Sequence, residues 1–234
     1  MNRHLNFRTK LIIAFVLIIT IPMVALSAIV YNITSSSYFE NLKASSEQLS
    51  ESITSSITNY MSIFEKSVEF VAEDPNVKTT RTSRDSLPWM LKTFEAYIKE
   101  YTDVSNIYVG YSDKAFHIFP AADLPAGYDP HSRPWYQQAV ATNGFIWTKP
   151  YANATNPDEI VLSAAKPVYS NSGFEGVLAI DLNIGQIASE VNSLKIGENG
   201  YLILLDSDNI PFTHPVSENI GVPIAVEGLR KFVE

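Results

Sequence analysis

Cysteine is absent from the chain of 234 residues, and basic residues are few: 17 Lys and Arg stand against 25 Asp and Glu, for a net charge of −8. The absence of cysteine excludes disulfide bonds and thiolate metal sites. The shortage of basic residues argues against nucleic acid as a partner, because no cluster of Lys and Arg could follow a phosphate backbone.

Catalytic and metal-binding motifs are missing as well. The sequence has no Gly-x-Ser-x-Gly, no His-Glu-x-x-His and no phosphate-binding loop. His117 lies in a predicted strand and His131 in a predicted loop, and neither has a partner at the spacing of metal ligands. Asp206 and Asp208 could indicate calcium, but the Gly and the later Glu of an EF-hand loop are absent, which favours a turn. The sequence thus predicts no enzyme activity, no metal and no cofactor.

One long apolar run stands near the N-terminus. Residues 11–30 carry no charge, and twenty helical residues cover the roughly 30 Å hydrocarbon core of a bilayer. Three basic residues and no acid occur in residues 1–10, which predicts a cytoplasmic start with the following chain outside the cytoplasm. A cleaved signal peptide is the alternative, since Ala25-Leu26-Ser27 resembles a cleavage site. The length of the run favours an uncleaved transmembrane helix over residues 11–31.

A long amphipathic helix is predicted next, over residues 32–72. Its apolar side chains recur at steps of three, four and seven residues. They are Leu42, Leu49, Ile53, Ile57, Tyr60, Phe64, Val68 and Val71. Such a helix would be roughly 60 Å long, so we expect a stalk through which two copies form a homodimer. The alternative, which is compatible with the first, is that the second half packs on its own domain while the Ser-rich first half is a solvated spacer.

Residues 73–194 are predicted to form an α+β module, in which an antiparallel sheet is flanked by helices. A helical period over residues 86–101 gives way to a period of two. Strands are expected at 105–111, 115–119, 145–147, 159–169 and 176–181, with helices at 135–142 and 183–194. Trp89 and Trp147 are predicted to lie in the core. Residues 195–234 then begin a second, similar module, with a strand at 201–205, which we expect to continue past Glu234.

The segment Tyr128–Tyr136 differs from the rest of this module. Within nine residues it holds one Arg, three large aromatic residues and two Pro. Proline fixes its own φ and disfavours helix at the preceding residue, which predicts a shaped loop. A guanidinium can bind a carboxylate through two parallel hydrogen bonds, and aromatic rings form rigid walls. We therefore expect this loop to bind a small zwitterion; the alternative is a surface turn with a packed Trp.

The order of these features resembles the double-Cache sensor domain of bacteria, which has two PAS-like modules on a long N-terminal helix. The resemblance covers about residues 11–225. It rests on the anchor, the long helix, Arg133-Pro-Trp-Tyr136, Gly176-Val-Leu-Ala-Ile-Asp181 and Gly197-Glu-Asn-Gly-Tyr201. It implies a membrane-distal module with a ligand site and a membrane-proximal module that is only begun. The basic start, the anchor and the Ser-rich stalk are most similar to those of a methyl-accepting chemotaxis receptor.

Ligand contacts are implied by the subset of that family that binds amino acids. By this resemblance Tyr128, Arg133 and Trp135 bind the α-carboxylate, Tyr136 and Asp181 bind the α-ammonium, and Tyr151 lines the pocket. Asn153 stands where many members have a second Asp, so one negative charge is missing and the selectivity for an amine is expected to be weaker or the ligand to differ. The alternative role for Asp181 is to cap the helix that begins near Asn183.

Together these features predict the extracytoplasmic sensor of a transmembrane chemoreceptor. It would bind an L-amino acid and signal to cytoplasmic partners through a further C-terminal part. One alternative is the sensor of a histidine kinase or a cyclic-dinucleotide enzyme, binding an amine or an organic acid. Another is an anchored scaffold protein without a small ligand. An open polar pocket between Arg133 and Asp181 would favour a sensor, and an apolar or filled site there would favour a scaffold.

Overall fold

The computed structural model of the chain describes residues 6–193, 201–206 and 208–220. It divides into two units, Met1–Met61 and Ser62–Glu234, each of which is considered by itself. The described part of the first unit is helical from Phe7 onward and belongs to helix α1 (Phe7–Ala72). A window of α1 is long and apolar enough to cross a bilayer, and none of that window is buried within the protein.

The second unit starts with the last turns of α1. Phe64, Val68, Val71 and Ala72 are buried there, so this end of the long helix packs on its own domain, as one of the two interpretations of its apolar face expects. A short helix α2 (Pro75–Thr79), which the sequence did not predict, follows at once.

Helix α3 (Ser86–Glu100) comes next and agrees closely with the predicted helix. Its buried face holds Met90, Phe94 and Tyr97, which follow steps of four and three residues. Trp89 lies beside this face rather than on it. The prediction that Trp89 belongs to the core is wrong, because its side chain is 58% exposed and lies against the ammonium of Lys92.

A six-stranded antiparallel sheet forms the centre of the second unit. Its strands are β1 (Val104–Tyr111), β2 (Phe116–Phe119), β3 (Ile146–Trp147), β4 (Tyr151–Ala152), β5 (Ile160–Ser170) and β6 (Gly173–Asn183). Their order is β2-β1-β6-β5-β3, and β4 also pairs with β5. Strand β4 was not predicted, and β6 starts three residues before the predicted strand because the β5–β6 turn is shorter than expected. The α+β class is confirmed.

Helix α4 (Pro134–Thr142) packs on one face of this sheet. Small residues on β5 and β6, Ala165 and Ala179, leave room there for the large rings of Trp135 and Tyr136. The helix ends at Asn143, which adopts the left-handed conformation (φ 52°) that commonly terminates helices. The small residues of the sheet therefore fix where the aromatic residues of α4 lie.

The chain after β6 is described only in part. Helix α5 (Ile184–Ser193) is followed by the short strands β7 (Leu204–Leu205) and β8 (Pro211–Thr213). The strand predicted at 201–205 is thus limited to its last two residues, and Asp206 forms a turn by accepting hydrogen bonds from two backbone N–H groups. The predicted features at 194–200 and 221–234 lie outside the described residues.

Candidate functional site

Arg133 stands between a short 3-10 helix and α4. The 3-10 helix, Pro130–Ser132, is capped by Asp129, whose carboxylate accepts a hydrogen bond of 2.9 Å from the N–H of His131. Arg133 is extended (φ −84°, ψ 146°), and Pro134 supplies the first residue of α4. The two prolines and the Asp129 cap therefore set the direction in which the chain presents Arg133, although the predicted loop is in part a 3-10 helix and the start of α4.

Polar side chains form a row across the centre of the sheet. Asp181 of β6 pairs in register with Asn106 of β1 on one side and with Ser163 of β5 on the other. Tyr108 lies two residues after Asn106, so it is on the same face of β1. Antiparallel pairing of β1, β6 and β5 thus brings together residues that are about 20 to 75 positions apart in the chain.

Asp181 is buried among hydroxyl groups. Its Oδ1 accepts hydrogen bonds from Tyr108 Oη (2.6 Å) and Ser163 Oγ (2.5 Å), with Tyr151 Oη at 3.5 Å. The side chain is 4% exposed, and burial raises the pKa of Asp181 from 3.8 to about 6 even though the hydroxyl hydrogen bonds favour the ionised form. No described residue hydrogen-bonds Oδ2 or forms an ion pair with this carboxylate. Asp181 is therefore a buried acid with no cationic partner in the described part of the chain.

A narrow cavity connects Arg133 and Asp181. Its walls include six of the seven predicted site residues: Tyr128, Arg133, Trp135, Tyr151, Asn153 and Asp181. It measures about 10 Å³, roughly the space that one water molecule needs. The site holds both charges, as the sensor hypothesis predicts, but it is nearly filled rather than open, which differs from the open pocket that was expected.

Tyr136 is the predicted site residue that does not line this cavity. It follows Trp135 on α4, and a step of one residue turns a helix by about 100°, so the two side chains point in different directions. The Tyr136 ring lies 4.3 Å from the ring of His131 and 6.4 Å from that of Phe174, measured between centroids. The structure thus places Tyr136 in the hydrophobic core beside the site.

The guanidinium of Arg133 is held by aromatic rings and one carbonyl. Its Cζ lies 5.2 Å from the centre of the Tyr151 ring and 6.0 Å from that of Tyr128. Nη2 donates a hydrogen bond of 3.2 Å to the carbonyl of Ala152. The buried Nε has no hydrogen-bond partner among the described residues, and Arg133 forms no ion pair with any of them. Its positive charge is therefore available to an anion.

Asn153 lines the cavity, but its polar atoms are bonded to the protein. Its Oδ1 accepts from Thr155 N (3.0 Å) and Thr155 Oγ1 (2.9 Å), and its Nδ2 donates to Asn106 Oδ1 (3.2 Å) and Glu159 Oε2 (2.9 Å). The amide thus fixes the segment after β4 against β1. Its carbonyl, which the sequence suggested as an acceptor for an amine, already receives two hydrogen bonds.

A much larger cavity, of about 780 Å³, lies beside α5 and β8. Among the described residues, four charged ones line it, and three of these, Lys149, Glu159 and Asp206, already have partners, which leaves no free cation beside Asp158. Lys149 pairs with Asp208, and Glu159 accepts hydrogen bonds from Ser105, Asn153 and Asn183. Because a binding site needs polar groups free to contact a ligand, the narrow cavity with Arg133 and Asp181 is the better candidate despite its size.

Comparison with known proteins agrees with this architecture. The family model described as "Cache domain" (dCache_1) matches residues 32–231. The chain belongs to the Cache domain family. It is 28% identical over 229 residues to the methyl-accepting chemotaxis protein McpC of Bacillus subtilis, an alignment that covers 95% of this chain and 34% of McpC. The chain spans about a third of the length of the curated relatives it matches.

A second relative matches this chain both in sequence and in a solved structure of its ligand-binding domain. The methyl-accepting chemotaxis protein PctB of Pseudomonas aeruginosa is 27% identical over 224 residues, covering 94% of this chain and 34% of PctB. The ligand-binding domain of PctB, described as an amino acid chemoreceptor in complex with L-Arg, superimposes with a TM-score of 0.59 at 26% identity. That match covers 70% of this chain and 67% of the PctB domain.

Two residues of the site in this Cache domain were missed by the sequence analysis. Tyr108 and Ser163 both hydrogen-bond Asp181 and complete its surroundings. The sequence signal for Ser163 is a polar residue inside an apolar strand. The signal for Tyr108 is its position two residues after Asn106, which places both side chains on one face of β1. The alternative role for Asp181, as a helix cap, belongs instead to Asn183, whose Oδ1 accepts a hydrogen bond of 2.7 Å from Gly185 N.

Proposed function

We propose that this Cache domain is the sensory part of a membrane-anchored chemoreceptor and that it binds an amino acid through both of its charged groups. The observation that carries the proposal is the pair Arg133 and Asp181. Opposite charges line one cavity, and neither forms an ion pair with a described residue. Arg133 Nε has no hydrogen-bond partner among the described residues, and the hydrogen bonds that described residues make to the Asp181 carboxylate go to Oδ1. An α-amino acid has the complementary pair of charges.

The carboxylate of the ligand would bind Arg133. The planar guanidinium offers parallel donors to two carboxylate oxygens, and its buried Nε gains the hydrogen bond that the protein does not supply. The ring of Tyr128 lies 6.0 Å from the Arg133 guanidinium, and Trp135 also lines the cavity. Burying the guanidinium and the ligand carboxylate is favourable only if the two charges pair with each other. A ligand without a carboxylate would therefore bind poorly at this position.

The ammonium of the ligand would bind Asp181. Oδ1 is occupied by hydroxyl donors, whereas Oδ2 is available to the ligand. The ring of Tyr151 adds an aromatic face beside this position. Asn153 provides no second negative charge, and its carbonyl is already hydrogen-bonded, so Asp181 is the one anion among the described residues that line the cavity.

The relatives support the same role. McpC and PctB are methyl-accepting chemotaxis proteins, and the PctB domain was solved with L-Arg. With α1 crossing the membrane, the sensory domain would lie outside the cytoplasm, and two copies would associate through α1. Binding would transmit a signal only if the two conformations of the receptor differ in affinity for the ligand.

The test is thermal unfolding of the full chain in lipid nanodiscs, followed by tryptophan fluorescence, against the twenty L-amino acids. A ligand at one hundred times its Kd adds about 2.7 kcal/mol to the free energy of unfolding, which raises Tm by roughly 5–10 °C. We expect a few amino acids to do so. Arg133→Ala should abolish the shift, and Arg84→Ala, which removes an exposed Arg, should leave it unchanged.

An unchanged shift in Arg133→Ala would contradict the proposed carboxylate contact. If no amino acid shifts Tm of a wild-type chain that unfolds cooperatively, the proposal that the ligand is an amino acid is wrong.

A further inference from the structure

The cavity has further lining residues besides the two charged ones, Asn153 and the rings of Tyr108, Tyr128, Trp135 and Tyr151. These further residues are Phe116, Ile118, Leu124, Ala154 and Thr155. Four of the five are apolar, and the hydroxyl of Thr155 donates to amide oxygens of the protein, at 2.9 Å for Asn153 and 3.4 Å for Asn106. Among the described residues that line the cavity, Arg133 and Asp181 are the charged ones, and the proposed function assigns both to the ligand main chain.

We propose that these largely apolar lining residues receive the ligand side chain and select an uncharged aliphatic amino acid, an inference that rests on the proposed function. A Lys, Arg, Asp or Glu side chain would bring a third charge into the cavity with no counter-charge on its wall. Burying an unpaired charge is strongly unfavourable. An aliphatic side chain instead contacts carbon atoms and gains from leaving water.

The position of Leu124 explains how such a ligand enters. A space of about 10 Å³ is too small for an amino acid, so one wall must move when the ligand binds. Leu124 lies on the segment 120–127, which has no regular secondary structure. Among the described residues, one hydrogen bond, from Tyr128 N to Pro125 O, holds this segment, whereas Phe116 and Ile118 belong to a paired strand. Leu124 is therefore the wall residue that adapts to the ligand side chain.

Leucine, asparagine and aspartic acid provide a matched series, because their side chains share one branched shape and differ in polarity and charge. Affinities are measured by titration calorimetry with the full chain in nanodiscs. We expect leucine to bind at least about 100-fold more tightly than aspartate, with asparagine between them. Alanine and valine should bind with affinities closer to that of leucine.

A charge placed on the wall should change this order. Leu124→Lys supplies a counter-charge, and we expect the leucine-to-aspartate affinity ratio to fall at least tenfold. Val140→Lys is the matched control, because Val140 is an exposed residue of α4 that does not line the cavity, and its ratio should equal that of the wild type.

Three results would overturn the inference. Aspartate, lysine or arginine binding to the wild type as tightly as leucine, with loss of binding in Arg133→Ala, would refute the selectivity but leave the proposed function standing. An unchanged ratio in Leu124→Lys would show that Leu124 does not face the ligand side chain. Absence of binding by every amino acid would refute both proposals.

Discussion

Replacing Asp181 with Asn should stabilise the ligand-free protein while destroying its ability to bind. The reason is the buried carboxylate, whose pKa rises from 3.8 to about 6 because of burial. At about 1.4 kcal/mol per pH unit, this difference means that the ionised group lowers the free energy of unfolding by about 3 kcal/mol at neutral pH. Asn carries no charge, and its Oδ1 can still accept the hydrogen bonds of Tyr108 and Ser163.

The sign of the pH dependence follows from the same values. The folded-state pKa lies above that of the unfolded chain, so protonated Asp181 contributes stability that is fully present below about pH 4. This contribution is lost as the pH rises through about 6. The Tm of Asp181→Asn should therefore match that of the wild type near pH 4. It should exceed the wild-type Tm by roughly 6–12 °C at pH 7, as measured by tryptophan fluorescence in nanodiscs.

Ligand affinity should show the opposite trend with pH. With a pKa of about 6, the ionised fraction of Asp181 falls from about nine tenths at pH 7 to about one tenth at pH 5, so amino-acid affinity should fall about tenfold. Asp181→Asn should bind weakly at both pH values. Asp85→Asn, at an exposed position, is the control and should resemble the wild type throughout. Equal stability of wild type and Asp181→Asn at pH 7, or tight binding by the variant, would refute this account of Asp181.

Two further predictions concern the packing around the site. Gly176→Ala should prevent folding or lower the free energy of unfolding by more than about 3 kcal/mol, because a Cβ there would lie 2.2 Å from the carbonyl oxygen of Gly110 on the neighbouring strand. Chemical denaturation would measure this loss. Gly144→Ala is the control, because the nearest atom to its Cβ is 3.9 Å away, and its free energy of unfolding should stay within about 0.5 kcal/mol of the wild type. Tyr136→Phe should leave amino-acid affinity within about twofold in calorimetry, since Tyr136 does not line the cavity, and a loss of tenfold or more would show that its hydroxyl contacts the ligand.

Local features of the fold were readable from the sequence because they follow from short-range rules. The helix at Ser86–Glu100 follows from apolar residues three and four positions apart, and α4 from Pro134 at its start and Asn143 at its end. Trp89 was misplaced because large aromatic residues are usually buried, yet its position on α3 lies outside the stripe formed by Met90 and Phe94. The residue type of Trp89 favoured burial, but its position on the helix leaves its side chain exposed.

The surroundings of Asp181 could not be predicted in the same way. Strand β1 pairs with β6, which follows it by about 70 residues, and Ser163 reaches Asp181 only through the β5–β6 register. A shift of one residue in either pairing would turn these side chains to the other face of the sheet. Motif resemblance indicated Arg133 and Asp181 individually, whereas the hydroxyl groups that bind Asp181 depend on contacts between distant strands.

Arg133 and Asp181 form no ion pair with each other, and this separation would account for both the stability cost of Asp181 and the proposed selectivity for a zwitterion. Arg133 is held by the Ala152 carbonyl and the ring of Tyr151, while hydroxyl groups hold Asp181 without neutralising it. If the two side chains formed an ion pair with each other, the protein would be more stable, but a zwitterion would have to break that pair before binding. Because the chain instead tolerates a buried carboxylate that no described cation pairs with, the proposed ligand would meet preorganised charges, and its ammonium would remove the stability cost that Asp181 imposes. Lower stability without a ligand and the proposed binding of a zwitterion would thus have the same physical origin.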